Sequence, residues 1–301
     1  MSLLFAGIDG GQSSTIAAIA DETGRVLARG RAGPTDEIGE GPGSTRLRDA
    51  LRAALADACV RAHLDPECGF AAIVAGISGY EGRVYGRKPE LRTAHFALLH
   101  DAPIAHAGAL AGEPGIVAIA GTGSVVYARD ERDSERTLGG WGPLFGDEGS
   151  AFGIVRDGLA GVMRGHDAGL CESESAAACA YFGVRTLREL ARAIYADEIA
   201  RDKLASFAPA ALEFPLFRQI ERRGADRLAA LVRTAAEPMR SPKVSLLGGL
   251  FAHQPFRVRV ARRVLELVPD ARIVDPRYDP AAGALLLAYR EIGRAIPELS
   301  E

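Results

Sequence analysis

Two glycine-rich segments that carry hydroxyl side chains lie at corresponding places in the two halves of the 301-residue sequence. The first, Gly7 to Thr15, places Asp9 directly before Gly10, Gly11, Gln12 and Ser13. The second, Ile119 to Ser124, contains Gly121, Thr122, Gly123 and Ser124. Glycines let a backbone approach a phosphate, and their N–H groups can bind an anion. A carboxylate such as Asp9 can hold a hydrated Mg²⁺. Each segment alone is compatible with a plain glycine hairpin, but the matching pair favours two phosphate-binding turns.

A carboxylate also follows a short apolar run, at His100-Asp101-Ala102. Ligands of α/β folds commonly bind beyond the C-terminal ends of strands. There Asp101 could accept the proton of an attacking hydroxyl, as catalytic aspartates do in phosphoryl transfer. Asp101 could equally be the N-cap of a helix that continues through Pro103. Both interpretations stay open on this segment alone.

Two further glycine-rich segments favour ligand contact. The segment from Gly139 to Ser150 contains the only Trp, Trp141, and its glycine content costs conformational entropy, which is typical of a site that a ligand approaches closely. A core position for Trp141 is the alternative. Asp147 and Glu148 are expected to cap the next helix and could face a polyol. After the apolar residues 244–247, Gly248 and Gly249 would let a flat ligand such as adenine lie against backbone.

Hydrophobic periodicity predicts the elements that position these segments. In the first half it predicts strands Leu3–Asp9, Ser14–Ala20, Arg25–Gly30, Phe70–Ile77 and Phe96–His100 and a helix Thr45–Ala62. After a Gly-Pro break near residue 113 it predicts strands Ile116–Ala120, Ser124–Arg129, Val244–Leu247 and Arg272–Val274. Helices are predicted at Asp147–Met163, Pro255–Leu267, Pro280–Ile292 and through residues 172–237. The halves therefore suggest a repeat of architecture without a literal sequence repeat.

Composition narrows the function classes. The net charge of −3 argues against a nucleic-acid or anionic-membrane surface. No apolar run approaches the length of a membrane span, and the N-terminus lacks the features of a signal peptide. The four cysteines lack metal-ligand spacing. We therefore expect a cytoplasmic protein with no nucleic acid or membrane partner.

In this order, the five segments resemble the N-acetylglucosamine kinases and the BadF/BadG/BcrA/BcrD-type ATPases, within the actin, Hsp70 and hexokinase superfamily. The resemblance runs from Gly7 to about Gly283 and is sharpest over Gly139–Ser150. It implies an α/β fold of two actin-like (ribonuclease H-like) lobes, each a mixed sheet with helices, around a nucleotide cleft. The implied lobes are residues 1–113 and 114–301, with a helical insertion near 165–240.

The resemblance also implies roles for single residues. Asp101 matches the catalytic base, and Asp9 matches the carboxylate that organises Mg²⁺. The implied ATP-binding residues are Gly10, Gly11, Gln12, Ser13, Thr122, Gly123, Ser124, Gly248 and Gly249. The implied sugar-binding residues are Asp36, Ser78, Gly79, Gly140, Trp141 and Asp147. Gln12 and Asp36 depart from the usual glycine and asparagine, and Asp36 leaves the exact sugar in doubt.

The activity implied is phosphorylation of N-acetylglucosamine or glucosamine by ATP, at the 6-hydroxyl. An ATPase subunit that drives electrons into a partner reductase or dehydratase is the alternative, for which the cysteines do not fall at the expected places. A homodimer is left open.

Overall fold

The computed structural model describes residues 3–35 and 41–300. The elements of the first part are strands β1 (Leu4–Gly10), β2 (Thr15–Asp21) and β3 (Val26–Ala32), helix α1 (Arg46–Arg61), strands β4 (Phe70–Ile77) and β5 (Thr93–His100), and helix α2 (Asp101–Ala109). Next come strands β6 (Gly115–Ala120), β7 (Ser124–Arg129) and β8 (Glu135–Gly139) and helices α3 (Gly142–Phe145), α4 (Ala151–Asp167), α5 (Glu172–Phe182), α6 (Leu187–Tyr195), α7 (Arg201–Ala205), α8 (Ala208–Ala211) and α9 (Pro215–Ala236). The chain ends with strand β9 (Lys243–Leu247), a 3₁₀ turn (Gly249–Ala252), helix α10 (Gln254–Leu267), strand β10 (Arg272–Val274) and helix α11 (Pro280–Glu291).

The two five-stranded sheets share one strand order. The first runs β3-β2-β1-β4-β5 and the second β8-β7-β6-β9-β10, so that each places its own first strand in the middle. In the first sheet, β2 pairs antiparallel with β1 and β3, whereas β1, β4 and β5 are parallel. In the second sheet, β9 is parallel to β6 and to β10, and β8 is antiparallel to β7. The repeat of architecture and the mixed-sheet α/β class are confirmed.

The structure divides into two compact units, residues 1–115 with 275–301 and residues 116–274. This differs from the expected lobes at the C-terminus, because residues 275–301 belong to the first unit. Helix α11 is the reason. All its residues from Ala281 to Tyr289 are buried, and a Cβ added to Gly7 of β1 would lie 2.0 Å from the backbone nitrogen of Leu285. Helix and strand therefore pack backbone to backbone.

Each unit has its own apolar core. In the first unit, α1 covers one face of the sheet with residues such as Leu51 and Leu55, while α2 and α11 cover the other with Ile104 and Leu285. In the second unit, one large cluster joins the sheet to the helices between α4 and α10. Within the described residues, every helix is too short or too polar to cross a lipid bilayer.

The predicted elements agree closely with the observed ones, and the region predicted as helical through residues 172–237 contains the five helices α5 to α9. Two further differences concern β8 and the start of α4. Strand β8 has no counterpart in the prediction, because its residues are mostly polar and partly exposed. Helix α4 begins at Ala151 rather than at Asp147, because the side chain of Ser150 is its N-cap and accepts the N–H of Gly153 at 2.9 Å. The expected capping role of Asp147 and Glu148 is therefore wrong.

Candidate active site

Three predicted segments leave the first sheet side by side at one edge. In the parallel pairing, Gly10 lies opposite Ile77, and Ile77 lies opposite His100. The first turn, Ser78 and Asp101 therefore begin in register at the C-terminal edge of β1, β4 and β5. This is the edge at which α/β folds bind ligands.

Backbone hydrogen bonds hold the first glycine-rich turn, between β1 and β2, in place. The N–H of Gly11 donates to the carbonyl oxygen of Ser14 at 2.9 Å, and the N–H of Thr35 donates to that of Gly11 at 3.1 Å. The N–H of Ser78 donates to the carbonyl oxygen of Gly10 at 2.9 Å. The carbonyl oxygens of both glycines are thus engaged by the protein, while Gln12 and Ser13 in the middle of the turn are exposed. Asp36 lies outside the described residues, so its expected sugar contact stays a prediction.

Asp9 lies on the sheet face that α2 and α11 cover. Side chains alternate along a strand, so Asp9 points the same way as Gly7, which packs on α11. Asp101 is the first residue of α2, and Asp279 is the N-cap of α11. The pKa of Asp9 is raised to about 6, chiefly by burial and in addition by the charges of Asp101 and Asp279.

These surroundings fit a cation beside Asp9. A half-buried carboxylate that faces two others is stabilised by positive charge. Among the described residues, no three acidic, histidine or cysteine side chains form a ready-made metal cage. Mg²⁺ in nucleotide sites is commonly bound through one or two carboxylates, waters and the phosphates themselves. Asp9 therefore suits a metal that arrives with the nucleotide.

The interpretation of Asp101 as an N-cap is wrong. His100 is the N-cap of α2, and its Nδ1 accepts the N–H of Ala102 at 3.2 Å. The same Nδ1 lies 2.7 Å from Oδ1 of Asp101. Because one nitrogen cannot accept and donate at once, the protonation of His100 decides between capping and pairing. The pKa of His100 is raised, chiefly by its hydrogen bond to Asp101, although burial opposes this.

The second turn lies between β6 and β7 and is tied to the start of α4. The N–H of Gly121 donates to the carbonyl oxygen of Gly123, and the N–H of Ala151 donates to that of Gly121, both at 2.9 Å. The hydroxyl of Ser124 donates to the carbonyl oxygen of Glu148 at 2.9 Å. These hydrogen bonds hold the turn in a defined conformation within the second unit.

Asp147 is buried behind this turn. Its residue exposure is 3%. Its Oδ1 accepts the N–H of Ser124 at 3.1 Å, and its Oδ2 accepts from Nη2 of Arg201 at 2.5 Å. Both carboxylate oxygens thus have partners inside the second unit. The expected sugar contact of Asp147 stays a prediction, and its observed role is to link the turn to α7.

The segment around Trp141 is anchored next to the same turn. Gly140 has a φ of +70°, a conformation that favours glycine, and its N–H donates to the carbonyl oxygen of Ser124 at 3.1 Å. Trp141 is 76% exposed, and Leu144 and Phe145 are 84% and 83% exposed. The alternative that Trp141 is a core residue is wrong, and its sugar contact stays a prediction.

A cavity of about 640 Å³ opens beside the second turn, within the volume usual for ligand sites. It brings Gly121 and Thr122 together with Gly249, as the phosphate and adenosine assignments require. Gly248 has a φ of +103°, and a Cβ there would lie 2.4 Å from the carbonyl oxygen of Ala120. The other wall comes from α7, α8 and the 3₁₀ turn, with polar side chains of Asp202, Ser206 and His253.

Sequence reasoning missed these polar residues and Arg201. They lie in the helical region, where the alternation of Ala, Leu and Arg indicated helices and gave no sign of ligand contact. Their place in the cavity wall depends on the long-range packing of α7 and α8 against α4.

Relatives of known name resemble this chain over most of its length. An N-acetylmuramic acid/N-acetylglucosamine kinase from Clostridium acetobutylicum is 27% identical over 205 residues, which cover 64% of this chain and 67% of the relative. An N-acetyl-D-glucosamine kinase from Dictyostelium discoideum is 24% identical over 95% of this chain and 97% of its own.

A solved structure and a family model complete the comparison. A structure from Chromobacterium violaceum, described as that of a candidate N-acetylglucosamine kinase, has 26% identity and a TM-score of 0.78 and covers 95% of this chain and 99% of its own. The model of the BadF/BadG/BcrA/BcrD ATPase family matches residues 6–288. Since that match spans nearly all of the sequence, the chain belongs to the BadF/BadG/BcrA/BcrD ATPase family.

Proposed function

We propose that this chain is an ATP-dependent sugar kinase that phosphorylates an amino sugar, N-acetylglucosamine or glucosamine, at its 6-hydroxyl. The observation that carries the proposal is the place of Asp101. Its carboxylate is not needed for capping and is about one third exposed. Asp101 follows the end of β5, in register with the first turn at the same edge of the sheet. The names of the relatives support an amino sugar as the acceptor.

Asp101 would act as the general base. An ionised carboxylate at this edge accepts the proton of the sugar hydroxyl as the hydroxyl oxygen attacks the terminal phosphorus of ATP, and the bond from that phosphorus to the bridging oxygen breaks so that ADP leaves. General-base catalysis typically contributes about 10²–10⁴-fold in rate. Protonated His100 pairs with Asp101 and competes for its oxygens, so the neutral imidazole is the productive form.

The two turns would hold the phosphates, and Asp9 would hold Mg²⁺. Magnesium bound with ATP neutralises negative charge on the phosphoryl oxygens. Asp9 must be ionised to bind it, and with a pKa of about 6 it is ionised above that pH. Gly248 and Gly249 would face the adenosine, and Ser78, Gly79, Gly140 and Trp141 would face the sugar.

The test is a coupled assay of ADP release over a panel of hexoses, free amino sugars and N-acetyl sugars. We expect ADP release that depends on N-acetylglucosamine or glucosamine and is much weaker with plain hexoses. ADP release at the same rate without any acceptor would contradict the proposal. If such a preparation were also brown and sensitive to oxygen, an ATPase that drives electron transfer would be the better assignment.

A further inference from the structure

Arg201, the first residue of α7, lies directly against the second turn. Its Nη2 donates to Oδ2 of Asp147 at 2.5 Å. A Cβ added to Gly123 would come within 2.7 Å of this same Nη2. The guanidinium therefore occupies the space beside the backbone of Gly123, in the middle of the turn to which we assign the phosphates.

The surroundings of Arg201 hold its guanidinium in place. Its carbon Cζ lies 5.4 Å from the centre of the Phe152 ring, a cation–π contact. The N–H of Phe152 donates to the carbonyl oxygen of Thr122 at 3.3 Å. The arginine and the turn thus rest on one aromatic residue, and the position of the guanidinium relative to the turn is set by packing.

The guanidinium has donor capacity left over. A guanidinium has five N–H donors, and one of them is used by Asp147. Its Nε is buried and has no hydrogen-bond partner among the described residues. The side chain is 32% exposed, so part of it reaches solvent. The next residue, Asp202, lines the cavity together with Gly121 and Thr122, so that this end of α7 forms part of the cavity wall.

We propose that Arg201 is a phosphate-binding residue of this nucleotide site. Held by Asp147, its guanidinium donates to a non-bridging oxygen of the β- or γ-phosphoryl group of a nucleotide on the second turn. The proposal rests on the assignment of that turn to ATP in the proposed function. Arginine suits this role because its planar donors match phosphate oxygens.

A different role is also testable. Asp147 is buried, and without a cation its charge would repel a triphosphate. Arg201 could therefore act only by neutralising Asp147. Phosphate binding predicts that the affinity for phosphates is lost with the arginine, whatever residue 147 is. Neutralisation alone predicts that the affinity returns when Asp147 also loses its charge.

The experiment measures binding of adenosine, ADP and ATP, with Mg²⁺ at constant concentration, by calorimetry without sugar. The variants are Arg201→Gln, Arg201→Lys, Asp147→Asn and the double variant Arg201→Gln with Asp147→Asn. Arg185→Gln is the matched control, because Arg185 is 90% exposed and, among the residues that the structure describes, forms an ion pair with Glu189 alone. Thermal unfolding verifies that each variant is folded.

We expect Arg201→Gln to weaken ADP and ATP binding by about 10- to 100-fold, as for a lost charge-assisted hydrogen bond. Adenosine binding should stay within about twofold, and Arg201→Lys should recover part of the loss. The double variant should remain weak. Restored ATP affinity in the double variant, an equal loss for adenosine, or unchanged affinity in Arg201→Gln would overturn the proposal. If the wild-type protein binds no nucleotide, the kinase assignment is overturned as well. If the wild type binds ATP and phosphorylates sugar, and Arg201→Gln binds ATP with unchanged affinity, only the inference on Arg201 is overturned.

Discussion

Replacing Asp9 by asparagine should abolish activity and at the same time stabilise the protein. The pKa of Asp9 is raised from 3.8 to about 6 because burial and the charges of Asp101 and Asp279 disfavour its ionised form. The folded state therefore holds this proton more tightly than the unfolded state does. Between these two pKa values stability falls as the pH rises, and above pH 6 the full penalty is present.

The magnitude follows from the shift. A difference of roughly two pKa units corresponds to about 3 kcal/mol, since one unit is worth about 1.4 kcal/mol. Asp9 keeps some exposure to solvent, which reduces the effect, so we expect a gain of about 1–3 kcal/mol for Asp9→Asn at pH 7.5. The gain should vanish below about pH 4, where the wild-type carboxyl is protonated in both states.

The assay is urea unfolding followed by circular dichroism at pH 4 and pH 7.5, because the only Trp, Trp141, lies in the second unit and would not report on Asp9. Asp57→Asn is the control. The pKa of Asp57 is lowered by hydrogen bonds from the N–H of Arg31 and from Arg61, so its replacement should not stabilise the protein at pH 7.5. Asp9→Asn that is less stable than wild type at pH 7.5, or equally stabilised at both pH values, would refute the reasoning. Sugar phosphorylation by Asp9→Asn at the wild-type rate would refute the metal assignment.

Three further outcomes are expected. His100→Asn should keep the cap of α2, because asparagine is a good N-cap residue. It should make the acid limb of the pH profile of kcat/KM shallower, because the imidazole that faces Asp101 and Glu81 is no longer there to be protonated. An unchanged acid limb would contradict this. Gly123→Val should weaken ATP binding severely, since its side chain would collide with Arg201; unchanged calorimetric affinity in a folded variant would exclude such crowding. Asp36→Asn should shift the ratio of kcat/KM from glucosamine toward N-acetylglucosamine by about ten- to a hundredfold, the value of a charge-assisted bond to the ammonium group; an unchanged ratio would leave Asp36 as a loop residue.

The local part of the site was predictable because its signals are local. The first turn needs apolar strands on both sides of two glycines, and all of these residues lie within the short stretch Leu4–Asp21. The end of β5 was equally clear from its apolar run. Whether His100 or Asp101 caps α2 depends on which residue leaves the strand conformation first. The extended backbone of His100, with ψ 159°, decides this, and both residue types are able to cap.

The non-local part of the site could not be predicted from one sequence. Asp147 and Arg201 are 54 positions apart, and no periodicity connects them. Helix α11 shows the same limit. Its apolar run from Ala281 to Ala288 predicts a buried helix, but only the close approach of Gly7 to Leu285 determines that it packs on the first sheet. Contacts of this kind are made when elements pack, after their local structure is already set.

Transfer of phosphate to the sugar tests the central claim most directly. Phosphorus NMR should follow ATP with N-acetylglucosamine and with glucosamine, using the wild type, Asp101→Asn and the surface variant Arg185→Gln. We expect a sugar 6-phosphate to appear with wild type and with Arg185→Gln, and the rate with Asp101→Asn to be about 10²–10⁴-fold lower with nearly unchanged ATP affinity. Sugar phosphate formed by Asp101→Asn at the wild-type rate would contradict its role as base, and inorganic phosphate as the only product of wild type would contradict the kinase assignment itself.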